Sequence, residues 1–386
     1  MKIITNGRLI LTDRILEGKA IVFDDKIRAI VDNSRIGEFP GAEVIDAAGN
    51  YVSPGLVDVH CHGAGGDDTC DNKEGAIQNM SRLIAGYGVT SWLPTTMTMS
   101  KDHLRTTFAQ IREAKKASAE DPAAWGGAQV LGANMEGPFI NVKRKGAQAA
   151  EHVALPDFDY TMEFADVIKL LTIASEVEGG LEFIERITEE TDIVCSLGHT
   201  CANYDDACAC FKAGCNHVTH LFNAQSGLAH RDPGVVGAAL ANRNVYTEFI
   251  ADTFHIHPGV FQIVADCKKD HLVLITDCMR AGGLPDGDYS LGGQPVVVKG
   301  IECRLEDGTI AGSVLRLYRA VQNLYKHTDV TLPQAVACAS LNSARSIRVD
   351  DRKGSLEVGK DADILIADND FEIINTFVGG HKVYGN

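Results

Sequence analysis

The sequence predicts an α/β fold, a (β/α)8 TIM-like barrel with a small β-sandwich domain formed from both termini. Three observations point there. From Leu56 onward, strand-like apolar runs alternate with amphipathic helical runs, the βα rhythm of a parallel sheet. About fifty residues at the start and thirty at the end instead alternate short β-like runs with turns. Five strand-like runs end in residues able to bind a metal: His60-Cys61-His62, Glu136, His199, His220 and Asp277. In a barrel of this kind the C-terminal ends of different strands converge on one site.

At 386 residues the chain exceeds the usual size of a single core, so a barrel over 54–354 and a small β-domain from 1–53 and 355–386 are expected. KIITNGRLIL, KAIVFDDKIRAIVD and AEVIDAAGNYVSPG read as N-terminal strands and turns, and GSLEVGKDADILIADND, FEIINTFVGG and HKVYGN as their C-terminal counterparts. Neither end has enough strands for a sheet of its own, so the two are expected to pair. Eight barrel strands are predicted at 56–62, 89–95, 129–135, 167–174, 193–198, 217–220, 245–251 and 271–276. The segment YSLGGQPVVVKGIECRLEDGTIAG then reads as one or two hairpins, with turns at Gly292-Gly293 and Asp307-Gly308.

Composition narrows the function. A hydrophobic content of 45% with no uninterrupted apolar run of membrane-spanning length predicts a globular chain with no membrane partner. The N-terminal apolar stretch is broken at Asn6, Gly7 and Arg8, so no signal peptide is read and a cytoplasmic location is the expectation. The 11 cysteines form no CxxC, and Cys208-Ala209-Cys210 falls in the helix-like run YDDACACFKAG, which argues against a disulfide scaffold or a thiolate zinc site. Cys61 stands apart because it lies between two candidate ligands. A net charge of -16 excludes a broad phosphate-backbone surface and with it nucleic acid. An anionic substrate needs a local cationic pocket, for which Lys143-Arg144-Lys145 is the compact basic cluster.

Imidazoles and carboxylates without thiolates suit a divalent zinc, iron, manganese or cobalt ion. His60 and His62 share a face of their strand. Glu136, His199 and His220 make a two-imidazole, one-carboxylate set that leaves a position open, and His60, His62 and Asp277 suffice for a second metal with Glu136 bridging, so one or two ions per subunit are expected. A metal-bound water ionises near neutral pH and becomes a nucleophile. Asp277, closing LVLITD, is the candidate general acid/base that takes the water's proton and passes it to a leaving amine. Asn223 and Ala224, just past strand six, place backbone N–H groups where an anion can be held, and Arg231 offers a fork suited to phosphate. His255 is a candidate substrate contact, whereas His217 and His257 read as structural.

These motifs, PGLVDVHCHGAGG, NMEGPFIN, SLGHT, THLFNAQSGLAHRDPG, IADTFHIHP, TDCMRAGGLPDG and GSLEVGKDADILI, resemble the N-acetylglucosamine-6-phosphate deacetylases of the amidohydrolase superfamily over nearly the whole chain. The resemblance implies a homodimer whose metal-dependent reaction removes acetate from the 2-acetamido group of a small sugar phosphate. It implies that Glu136, His199 and His220 bind the principal metal and that Asp277 is the general acid/base. Asn223, Ala224 and Arg231 would hold the 6-phosphate, Arg231 from either subunit, and His255 would contact the sugar. Some members replace the first His pair by Gln and Asn, whereas His60 and His62 are intact here. Some also carry a His after MEGPF that polarises the amide carbonyl, where this chain reads KGAQ, and Gln148 offers the substrate a hydrogen bond without charge. The alternatives are an N-acetylgalactosamine-6-phosphate deacetylase, a cyclic amidohydrolase, which in related enzymes bridges its metals with a modified Lys, or a silent sugar-phosphate sensor.

Overall fold

The computed structural model describes residues 1–385. Six parallel strands are hydrogen-bonded in chain order: Ala133–Glu136, Ile168–Ile173, Val194–Leu197, His217–Val218, Tyr246–Ile250 and Leu272–Ile275. A second parallel sheet sets Val89–Pro94 between Leu56–Cys61 and Gln129–Val130. The edges of the two sheets meet at parallel bridges, Thr95 with Asn134 and Cys61 with Cys278. These strands carry Val, Ile and Leu with almost no exposed residue, as expected where a sheet is covered on both faces.

The predicted strand positions hold, with two physical differences. The third strand is split at Gly132, where a Cβ would stand 2.5 Å from the Val167 carbonyl oxygen, so backbone proximity interrupts the run. The sixth strand stops at Val218 rather than continuing to 220, because His220 turns to a φ of 27° and leaves the ladder. The helix Tyr204–Lys212 covers the predicted run YDDACACFKAG and starts at a reciprocal cap between Asn203 and Asp206.

The terminal strands do assemble together. One six-stranded sheet runs His381–Tyr384, Ile373–Val378, Ile364–Ala367, Tyr51–Pro54, Arg8–Ile10, Ile15–Leu16, three C-terminal strands joined at its centre to three N-terminal ones. A four-stranded sheet of Ile27–Asp32, Lys19–Phe23, Lys2–Thr5 and Glu43–Asp46 is built from the N-terminal segment alone, so that end does supply a sheet of its own, contrary to expectation. Ile4, Ile21 and Phe23 of this sheet share one buried cluster with Leu9, Val52, Ile364 and Phe377 of the other, and Phe23 meets Phe377 edge-on at 5.7 Å. After the last parallel strand, Gly287–Leu291, Gln294–Lys299 and Glu302–Arg304 form an antiparallel sheet. Its first turn uses Gly292 and Gly293, both at positive φ (56° and 80°), the residues a tight two-residue hairpin requires.

Among the described residues no helix is long and apolar enough to cross a membrane. All 11 cysteines are free. Lys353 ties the end of the helical segment to the C-terminal strands. Only 2% exposed, its Nζ lies 2.9 Å from Asp361 Oδ2 and 2.7 Å from Asp363 Oδ2. Lys353→Met should leave the buried Asp363 carboxylate without its cation, while Asp361 keeps Lys26 and Arg352, and cost about 3–5 kcal/mol in chemical denaturation. A loss below about 1 kcal/mol would show that water solvates this carboxylate instead.

Candidate metal centre

Each donor arrives from a strand end because the strand delivers its backbone to one face and the following residue turns inward. His60 and His62 project together from Leu56–Cys61, while Cys61 faces the opposite way into the apolar core. Cys61 is therefore not a donor to the site, despite its position between two ligands. His199, His220 and Asp277 each lie two residues past their strands, at φ of 47°, 27° and 49°. Non-glycine residues in this region are strained, and three of them at one site mark a backbone held for its side chains.

Six donors converge in two triads, His60 with His62 and Asp277, and Glu136 with His199 and His220, all buried. Glu136 stands between the triads. Its Oε1 is 3.2 Å from His199 Nε2, 3.0 Å from His220 Nε2 and 3.4 Å from His60 Nε2, and its Oε2 is 3.2 Å from His62 Nε2. Asp277 Oδ1 lies 3.2 Å from His62 Nε2 and 3.5 Å from His60 Nε2.

The outer faces of the imidazoles decide what this cluster suits. His62 Nδ1 meets the Thr95 carbonyl at 3.2 Å, His199 Nδ1 the Arg144 carbonyl at 2.8 Å, and His220 Nδ1 the Asn223 carbonyl at 3.1 Å. His60 Nδ1 meets Glu248 Oε2 at 2.9 Å. With every Nδ1 donating outward, every Nε2 lone pair is left to the centre, the arrangement of metal-ligating histidines. The residues present therefore fit one or two divalent ions bound by nitrogen and oxygen.

The charges are strongly coupled. Burial opposes a charge on His62, yet hydrogen bonds to Asp277 and Glu136 outweigh it and lift its pKa to about 10. Burial likewise disfavours the Glu136 carboxylate, but His60, His199 and His220 pull its pKa well below the usual range. Asp277 is also held low, burial being overcome by its hydrogen bond to His62 and the nearby His60. Both carboxylates are thus anionic at neutral pH.

The triads open onto a cavity of about 350 Å³ lined by His62, Glu136, Lys143, Arg144, Gln148, His199, His220, Asn223, Ala224, His255 and Asp277, with Thr309 and Ile310 from the segment after the antiparallel sheet. His255 Nδ1 is engaged by Asp252 Oδ2 at 2.6 Å, which leaves Nε2 as its remaining polar atom at the cavity wall.

The Amidohydrolase family profile matches residues 51–383. The chain belongs to the amidohydrolase family. It is 37% identical over 375 residues to the N-acetylglucosamine-6-phosphate deacetylase of Bacillus subtilis (strain 168), covering 96% of this chain and 93% of that one. It is 34% identical to the N-acetylgalactosamine-6-phosphate deacetylase of Escherichia coli O157:H7, covering 87% and 89%. A crystal structure of N-acetylglucosamine-6-phosphate deacetylase from Pasteurella multocida superposes with a TM-score of 0.93 over the whole of both chains, at 29% identity.

Within this amidohydrolase several predicted residues sit differently from expectation. Gln148 is buried on the cavity wall, its Nε2 donating to Glu136 Oε2 at 2.6 Å and its Oε1 accepting from the Thr98 N–H at 2.6 Å, so its amide is anchored to the Glu136 carboxylate. Asn223 uses its own N–H on the His220 carbonyl at 3.0 Å, so of the expected anion-binding pair only the Ala224 amide has no protein acceptor among the described residues. Arg231 is exposed and outside the cavity lining of its own chain. Lys143 and Arg144, by contrast, do reach the cavity. His217 is in neither triad: its Nδ1 lies 2.9 Å from Ser196 Oγ, and burial lowers its pKa to about 4, keeping it neutral. His257 caps the turn at the Gly259 N–H.

Sequence reasoning missed Glu248. The signal was a lone acid in the buried strand run Tyr246–Ile250, where a charge needs a partner or a function.

Proposed function

We propose that this amidohydrolase removes acetate from N-acetyl-D-glucosamine 6-phosphate, giving D-glucosamine 6-phosphate and acetate. The observation that carries the proposal is the convergence of four Nε2 atoms and two carboxylates, each imidazole fixed from behind, at the floor of a cavity with cationic side chains on its wall. Glu136, His199 and His220 would hold the principal metal, with His60, His62 and Asp277 available for a second. A divalent ion bound there lowers the pKa of water and polarises a carbonyl.

The rest falls to the chain's own residues. Asp277, an anion facing the centre, takes the proton of the attacking water and returns it to the amide nitrogen as the C–N bond breaks and acetate leaves. Gln148 fixes the Glu136 carboxylate, and His255 orients the sugar. The Ala224 amide and Arg231 hold the 6-phosphate, with Asn223 fixing the turn beneath it and Lys143 and Arg144 supplying local positive charge on an otherwise acidic protein.

The architecture we read is one (β/α)8 barrel over 54–354 with 1–53 and 355–386 as a β-sandwich, a reading supported by the edge bridges at Thr95 and Cys61 and by the core shared between the terminal sheets. We further read the protein as a homodimer, and the eleven unpaired thiols support a reducing, cytoplasmic setting.

Acetate release from N-acetylglucosamine 6-phosphate should vanish on chelation and return with a divalent metal. Activity that survives complete metal removal would refute the mechanism. The galacto epimer is the second reading, favoured by the Escherichia coli relative, and parallel kcat/KM values for the two epimers decide between them.

A further inference from the structure

Glu248 has no role in the chemistry above, yet its side chain is completely buried. Its Oε2 lies 2.9 Å from His60 Nδ1 and accepts the backbone N–H of His220 at 3.0 Å. One oxygen therefore holds the ring of a ligand from one triad and the main chain of a ligand from the other. The remaining three ligand histidines each hand their Nδ1–H to a backbone carbonyl, so His60 alone has a carboxylate behind it. A carboxylate acceptor fixes the tautomer more firmly than a carbonyl and raises the basicity of the opposite nitrogen.

The other oxygen, Glu248 Oε1, is buried without a hydrogen-bond partner in the protein. The imidazole of His217 stands 3.9 Å away, too far for a hydrogen bond, and its Nδ1 is already engaged by Ser196. A buried carboxylate with half its acceptor capacity unused is destabilising compared with a neutral amide of the same shape. Fold stability therefore does not account for an acid at this position, whereas a charge beside a metal ligand does.

We infer that Glu248 is a positioning residue of the metal centre, holding His60 as a ligand. This inference rests on the metal-centre part of the proposed function and is independent of which amide is cleaved.

The test is a titration of the metal-stripped full-length chain with Co²⁺, following bound metal by elemental analysis and ligation by the visible absorption of the ion. The wild type should take up two equivalents. Glu248→Gln should lose roughly 10–100-fold in affinity for one equivalent, with its absorption band, and leave the other unchanged. His60→Gln should affect the same equivalent. The double variant should bind no more weakly than His60→Gln, because Glu248 acts through His60. If Glu248→Gln alone fails to fold, the double variant lacks both members of the pair and supplies the comparison.

Unchanged binding by Glu248→Gln, equal weakening of both equivalents, additive losses in the double variant, or a wild type that stops at one equivalent each overturns the inference. Acetate release, assayed separately, fails on its own if only the substrate assignment is wrong.

Discussion

Asp277→Asn should lower kcat by roughly 10²–10⁴-fold while metal at the Glu136, His199 and His220 triad remains bound. The substitution keeps the shape of the side chain but removes the carboxylate of the other triad, which faces the centre without being a ligand of this one. Its backbone role survives, since the Asp277 N–H donates to the His60 carbonyl at 2.9 Å and its carbonyl accepts from Ser313 N–H at 2.8 Å, contacts that any residue makes. What is lost is a base held in its anionic form by His62 and His60 despite its burial. The deficit should therefore appear in kcat with little change in KM, since the proton moves only in the chemical step. Turnover within threefold of the wild type, at full metal content, would remove Asp277 from the proton path and assign it to ligation alone.

How much of this centre was legible beforehand follows from what makes a residue visible in one dimension. His60, His62, Glu136, His199, His220 and Asp277 each stand at the end of an apolar run, and the period change from strand to turn marks the position. Glu248 lies inside such a run, where its neighbours Phe249 and Ile250 hide it, and only the three-dimensional approach of His60 reveals its purpose. Gln148 was visible as a polar residue in the right loop, but its partner was not: Glu136 is twelve positions away and the hydrogen bond depends on how the loop folds back. The split at Gly132 escaped for the same reason, since it follows from the approach of the Val167 carbonyl, and the short sixth strand follows from the positive φ of His220, which its residue type does not announce. The terminal sheets show the converse. Strand-like runs at both ends were plain, yet their partition into a mixed six-stranded sheet and an N-terminal four-stranded one depends on long-range pairing such as Ile364 with Pro54.

Arg231→Ala should raise KM for N-acetylglucosamine 6-phosphate by roughly 10–150-fold, the range expected for a hydrogen bond to a charged group, and leave turnover of unphosphorylated N-acetylglucosamine nearly unchanged. The location of Arg231 makes this prediction sharper than its residue type. It sits at the tip of a tight turn closed by reciprocal backbone bonds between Ala229 and Asp232, at 3.0 and 3.2 Å, and is exposed, away from the cavity of its own chain. An exposed Leu228 on the same loop gives that tip an apolar side chain suited to contact with a second copy. A phosphate contact by Arg231 then requires the neighbouring subunit, which a mixture of two differently impaired chains tests directly. In a mixed dimer of Arg231→Ala and Asp277→Asn, the subunit carrying the alanine keeps its own Asp277 and receives an intact arginine from its partner. Mixing should therefore restore phosphorylated-substrate activity at one of the two sites, with KM returned to the wild-type value. Failure to recover in verified mixed dimers would place Arg231 in its own subunit's site, and an equal effect of Arg231→Ala on both sugars would remove it from phosphate recognition altogether.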